Sequence, residues 1–203
     1  MDKSKVIYVS GYRSFELGVF KENDPKIQVV KNVLKKELRQ LAEEGLEWVL
    51  VSGNLGVELW AVQIVAELKE EYPELSLGIL YPFADFGNNW NEGNQEKKQL
   101  AEQLADYVEA VSHQPYQSPS QLKNHTRFIL EHTVGCLLIY DEEFPGKTKY
   151  FFEDAQNYQA DHPYEIRLIS MDDLQNFSEL SILCLIYQLF SYTMKKVEML
   201  LRK

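Results

Sequence analysis

The stretch WVLVSGNLGVELWAVQIVA, residues 48–66, decides how the rest of the chain is read. Apolar or aromatic residues from Trp48 to Val51 run into Ser52-Gly53-Asn54-Leu55-Gly56, after which the apolar positions fall at Val57, Trp60, Ala61, Ile64, Val65 and Leu68. A continuous apolar run that changes to helical spacing across a pair of glycines predicts a buried strand, a tight turn and a helix packed back on the sheet. Such a turn presents backbone N–H groups at the positive end of the helix macrodipole, a setting that favours an anion, phosphate above all. Ser52, Gly53 and Gly56 are therefore candidate ligand contacts. No Gly-Lys-Ser/Thr follows, which excludes a Walker A loop, and the spacing is not the Gly-x-Gly-x-x-Gly of a dinucleotide fingerprint. A glycine turn that serves only chain reversal has the same spelling. Glu58, in the first helical turn, also complements the helix dipole whether or not a ligand binds.

Outward from this stretch the same alternation repeats. Val6 to Ser10, Leu75 to Tyr81, Tyr107 to Ser112, Gly135 to Tyr140 and Ile166 to Ser170 read as further strands. Between them, Asp24-Pro25 starts a helix with Ile27, Val30, Leu34, Leu38 and Leu41 on one face, and Gly45 ends it. Gln95 to Ala105, a segment around Leu122, Phe128 and Ile129, and Tyr150 to Ala160 complete the helices. Alternating strands and helices, with strands apolar throughout, predict an α/β fold: an open parallel sheet covered on both faces. Right-handed crossovers then bring Gly11, Gly53 and Asp141 to one carboxyl edge, where ligands bind in such sheets.

At that edge Arg13 is a candidate clamp for phosphate or carboxylate, following Gly11 and Tyr12; an exposed turn arginine is the alternative. The apolar loop from Ser14 to Asp24 is expected to cover the site. Pro82 and Trp90, after the third strand, are candidates for a base-stacking wall, against a role for Trp90 in pinning its own loop. Pro145-Gly146-Lys147-Thr148 offers a glycine, a hydroxyl and basic side chains to complete a phosphate pocket. Ser120 and Lys123 match Ser-x-x-Lys without its companion motifs and are set aside. His125 and His132 have no partners at metal-ligand spacing, so no metal is expected and both read as structural or surface residues.

The 203 residues suffice for one buried domain, and the net charge of −10 disfavours nucleic acid and anionic membranes as partners. Cys136 and Cys184 form no Cys-x-x-Cys pair, and the N-terminal apolar segment is too short for a signal peptide, so a cytoplasmic setting is expected. Residues 175–203 differ from the rest: Leu180 to Met194 are apolar on nearly every side and are followed by Lys195, Lys196, Arg202 and Lys203. They predict an extra C-terminal apolar helix docked on the body or on a second subunit, with interfacial membrane association as the alternative.

Several blocks in order, Ser10-Gly-Tyr-Arg13, Phe15-Glu-Leu-Gly18, Glu44 to Trp48, Ser52 to Ala61, Tyr81-Pro-Phe83 with Trp90, and Tyr140-Asp141, resemble the YpsA-like family of small, mostly Gram-positive bacterial proteins. That family sits in the SLOG superfamily beside the DNA-processing protein DprA and the LOG-type nucleotide phosphoribohydrolases. The resemblance implies a Rossmann-like domain over residues 1–174 and a pocket for a nucleotide-derived ligand related to NAD or ADP-ribose. It also implies a link to cell division. Gly53, Gly56 and Glu58 match its glycine-rich signature, and Gly11 and Arg13 its first block. Glu58 then has two candidate roles, hydrogen bonding to a ribose hydroxyl or assistance in N-glycosidic cleavage, although the LOG signature Pro-Gly-Gly-x-Gly-Thr-x-x-Glu is not reproduced. Tyr12 or Trp90 would stack on the base. A DNA-binding adaptor is the third alternative, set against the acidic balance.

Overall fold

The computed structural model describes residues 5–179. Six strands form one sheet in the order β4-β3-β2-β1-β5-β6, and every neighbouring pair is parallel. They are β1 (Val6–Gly11), β2 (Trp48–Val51), β3 (Ser76–Tyr81), β4 (Tyr107–Ala110), β5 (Gly135–Ile139) and β6 (Glu165–Ile169). The connecting helices are α1 (Pro25–Glu43), α2 (Val57–Leu68), α3 (Glu92–Leu104), α4 (Ser120–His132) and α5 (Thr148–Asp161). From β1 the chain steps outward through β2, β3 and β4, and α1 packs on α2 and α2 on α3. It then returns to the other side of β1 for β5 and β6, where α4 packs on α5. Reversing direction while keeping right-handed crossovers puts the two helix sets on opposite faces. The reversal falls between β1 and β5, so their carboxyl ends flank the crevice where such sheets bind ligands.

Local chemistry sets the element ends. The Asp24 side chain accepts from Lys26 N (2.9 Å) with Pro25 in the first turn of α1. The helix closes with Gly45 N donating to Ala42 O and Leu46 N to Leu41 O, both near 3 Å, the paired bonds of a left-handed glycine terminus. Its inner face buries Val30, Val33, Leu34, Leu38 and Leu41, each stabilising the fold by roughly 1.5–3 kcal/mol relative to exposure. Helix α3 starts at Glu92, earlier than the apolar spacing indicates, because Asn91 caps it through Asn94 N (3.0 Å). The central strands β1 and β5 are buried at every position. The outer strands depart from the uniformly apolar pattern: β4 carries exposed Glu109, and β6 exposed Glu165 with half-buried Arg167. Charges at these positions guard the sheet edges against further pairing.

A helical segment at 171–179 follows β6, with Leu174 buried. The predicted C-terminal apolar helix falls at 180–203, outside the described residues. Among the described residues no helix is long and apolar enough to cross a membrane.

Candidate functional site

At the carboxyl edge the β1 and β2 loops are bonded to each other. Val57 N donates to Tyr12 O (3.1 Å) and Ser14 N to Leu55 O (3.4 Å), which makes Arg13 and Gly56 an isolated antiparallel bridge. Gly56 has φ +107°, and a Cβ there would lie 2.5 Å from Ser14 N and 2.6 Å from Tyr12 O. Only glycine fits that combination of left-handed backbone and backbone contact.

The group the loop surrounds is the side chain of Glu58, 1% exposed. One carboxylate oxygen accepts from Ser52 N (3.0 Å) and Asn54 N (2.8 Å). The other accepts from Ser10 Oγ (2.6 Å), Asn54 Nδ2 (3.0 Å) and Tyr8 Oη (3.3 Å). The expectation of a phosphate cradle in this turn is therefore revised: amides of Ser52 and Asn54 serve an anion that belongs to the chain itself. Glu58 faces inward because Tyr8 and Ser10, two residues apart on β1, project from one face of the strand. Both oxygens of this carboxylate are engaged by donors of the chain itself.

The cluster extends to α4. Ser52 Oγ lies 2.7 Å from Tyr8 Oη and 3.4 Å from His125 Nε2, which also lies 2.8 Å from Leu80 O. A carbonyl only accepts, so Nε2 carries the proton and cannot act as a base toward Ser52. Burial holds the His125 pKa below its ordinary value, partly opposed by the Leu80 carbonyl and the charge of Glu58. Burial and then the Glu58 charge push the Tyr8 phenol upward, which keeps it protonated and able to donate. Burial likewise pushes the Cys136 thiol up to about 12, leaving it a core residue without nucleophilic character.

The other candidates divide into two places. Arg13 is half-buried, and its Nη2 donates to Asn54 Oδ1 (3.0 Å), which links it to the Glu58 cluster. Tyr12 is buried: its hydroxyl donates to Phe144 O (2.8 Å) and accepts from Asp141 N (2.9 Å). It staples the β1 and β5 loops together and offers no face for a base. The Asp141 carboxylate accepts from Glu143 N (2.9 Å) and Met171 N (3.1 Å), so it turns toward its own loop and the 171–179 segment. Pro82 and Trp90 follow β3, two strands away from β1 and so about 10 Å to the side. Pro82 is buried, and Trp90 meets Phe86 edge-on at 5.4 Å, pinning its own loop. Gly53 lies between the two places, backed by the Tyr81 ring.

At the β5–α5 junction, Gly146 packs against Glu16 and Tyr12, and Lys147 N donates to Glu16 Oε1 (2.8 Å). The next residue, Thr148, opens α5 and is 2% exposed, and its hydroxyl has no hydrogen-bond partner among the described residues. One turn further along, Phe151 packs on Tyr8 at 4.5 Å, which sets α5 against β1.

The loop from Ser14 to Asp24 reaches the β5–α5 junction through Glu16, but its apolar side chains lie elsewhere. Ser14, Phe15, Val19 and Phe20 instead wall a groove of about 620 Å³ with α1, α2 and α3, and of the candidate residues the groove touches Gly56 alone.

The residues missed from sequence are Tyr8, Ser10 and Asn54, whereas His125, read as structural or surface, is buried at the edge of the same cluster. Polar side chains spaced two apart inside an otherwise apolar strand were the available signal for the first pair.

An open parallel sheet that reverses beside its first strand, with glycine-bearing loops at its carboxyl edge, defines a Rossmann-like α/β protein. The sequence model of the YpsA family, described as the YspA SLOG family, matches residues 7–174, and the chain belongs to that family. A UPF0398 protein of Enterococcus faecalis is 66% identical over 176 residues, covering 87% of this chain and 98% of the relative. UPF0398 proteins of Bacillus pumilus and Ligilactobacillus salivarius are 48% and 47% identical, over 84% and 86% of this chain and 90% and 95% of theirs. Among solved structures, DNA processing protein A of Helicobacter pylori, described with its single-stranded DNA binding mode, aligns with TM-score 0.48 and 14% identity. The alignment covers 87% of this chain and 80% of that one. The expectation that nucleic acid is an unsuitable partner here rests on net charge alone.

Proposed function

We propose that the protein binds a nucleotide or nucleotide-derived ligand, of the NAD or ADP-ribose kind, in the crevice between the ends of β1 and β5. The observation that carries this reading is the Thr148 hydroxyl, buried without a partner in the first turn of α5. An unmade hydrogen bond in such a place costs about 1–3 kcal/mol, and a phosphate at the helix N-terminus would supply the missing acceptor. Arg13, the half-buried cation of the β1 loop, would neutralise the charge. The exposed strap at 142–145, held by Tyr12 and ending beside the Glu16 contact at Lys147, would move to admit the ligand. With Glu58 occupied by the chain's own donors, the geometry favours a sensing or regulatory role over N-glycosidic cleavage. The link to cell division, taken from the family resemblance, is the setting in which such a sensor would act.

Thermal unfolding with AMP, NAD or ADP-ribose tests this. At a hundredfold excess over Kd, binding adds about 2.7 kcal/mol, a rise of roughly 5–10 °C for a domain of this size. Arg13→Ala should abolish the rise while leaving the unliganded Tm nearly unchanged. Absence of a shift with all three at saturating concentration would sink the proposal, and base released from a nucleoside monophosphate would reinstate the hydrolase.

A further inference from the structure

We propose that the groove between α1, α2, α3 and the Ser14–Glu22 loop is the docking site for an amphipathic helix with acidic flanks on a partner protein. The groove lies on the helical side of the loop that encloses Glu58 and is lined by none of Ser10, Ser52, Glu58 or Thr148.

Its floor is apolar, formed by Val19, Ile27, Leu59 and Val62. Val19 is buried and fastens the loop, through its N–H to Ser14 O (2.8 Å). The neighbouring aromatics do not share that work: Phe20 is 81% exposed and Phe15 59%. Across the groove on α3, Leu100 is 59% exposed and Leu104 lies exposed one turn further on. Large apolar side chains left in water on both lips of one groove mark an interaction surface. Two neighbouring helices, α2 and α3, with an apolar channel alongside them receive a third helix through anchors spaced i, i+3, i+4 and i+7.

Charge selects the occupant. On a chain of net charge −10, the groove is lined, among the described residues, by Lys21, Lys31 and Lys97 against the single acid Glu22. Glu22 meets Lys97 at 3.4 Å across the mouth, with both side chains exposed, so an incoming carboxylate can replace it. A rim of this sign favours an acidic segment. It opposes the chain's own residues 180–203, which carry Lys195, Lys196, Arg202 and Lys203 against Glu198. Leu55 and Gly56 also line the groove and belong to the loop that encloses Glu58, so a docked helix would rest on the wall of the polar cluster.

The test uses the full chain and a short fluorescein-labelled helical peptide with leucine at the anchor positions. Its outer face carries either glutamate or lysine, and binding is followed by fluorescence polarisation. The glutamate peptide should bind about tenfold more tightly than the lysine peptide at low salt. Phe20→Ala with Leu100→Ala should weaken it about tenfold without lowering Tm. Lys31→Glu with Lys97→Glu should reverse the preference between the peptides. No binding of the glutamate peptide, equal binding of the two, or indifference to the Phe20/Leu100 pair would overturn the proposal. So would a dimer by sedimentation that the lysine reversals dissociate, since the occupant would then be a second copy.

Discussion

Two strand–turn–helix junctions meet at the carboxyl edge, and they are filled differently. At β2–α2 the anion is internal: Glu58 takes hydrogen bonds from Ser52, Asn54, Ser10 and Tyr8. At β5–α5 no group among the described residues meets the Thr148 hydroxyl. The first junction is finished by the fold; at the second Glu16 accepts from Lys147 N (2.8 Å), and what is left over is the Thr148 hydroxyl. A glycine-rich turn before a helix thus marks a place for an anion, and only the surrounding side chains decide whether that anion is part of the protein.

The sharpest way to break this contrast is Glu58→Ala. It strips the acceptor from several buried donors at once, and we expect a loss of about 3–5 kcal/mol in denaturant unfolding. Glu58→Gln should lose less, since one acceptor oxygen survives. Folding stability unchanged by Glu58→Ala, with ligand binding lost, would make the two junctions alike and return Glu58 to the ligand.

A smaller effect comes from acid. His125 is buried beside the same cluster with its pKa below the ordinary value, so the unfolded chain takes up its proton first as pH falls. The contribution of neutral His125 is complete above its unfolded pKa of about 6.5 and declines as pH falls from there toward the folded value. Lowering pH from 7.5 to 5.5 should therefore reduce stability by about 1 kcal/mol, and His125→Gln should flatten that slope. An equal slope in the variant would assign the acid sensitivity elsewhere.

The smallest effect carries the opposite sign. Thr148→Val removes a hydroxyl that nothing satisfies, so the unliganded protein should hold its stability or gain up to about 1 kcal/mol, while the nucleotide-dependent rise in Tm disappears. A loss of stability would show that the hydroxyl already has a partner within the fold, and the contrast between the junctions would close.

How much of this was legible follows the same division. Central strands announce themselves because burial on both faces demands continuous apolar runs, as in Gly135 to Ile139. The edges were less plain, since β4 and β6 mix exposed charge into short strands. Gly11, Gly53 and Asp141 all follow parallel strands at their carboxyl ends, as topology requires, but the direction of a side chain is not a topological property. Whether Glu58 looks outward or inward is settled by Tyr8 and Ser10, hidden within an apolar run. Tyr12 and Asp141 lie at the expected edge and spend their polar atoms fastening it. Trp90 belongs to the β3 loop, and no spacing rule reports the lateral distance between strands.

Glu58 also acts as a tethered competitor. A carboxylate carried on the first turn of α2 reaches the amides of Ser52 and Asn54 without loss of translational freedom, so its effective concentration there far exceeds that of any free phosphate. A soluble anion would have to expel a neighbour that cannot diffuse away. The same loop, held by that internal carboxylate, forms a wall shared by the polar cluster and the groove behind it.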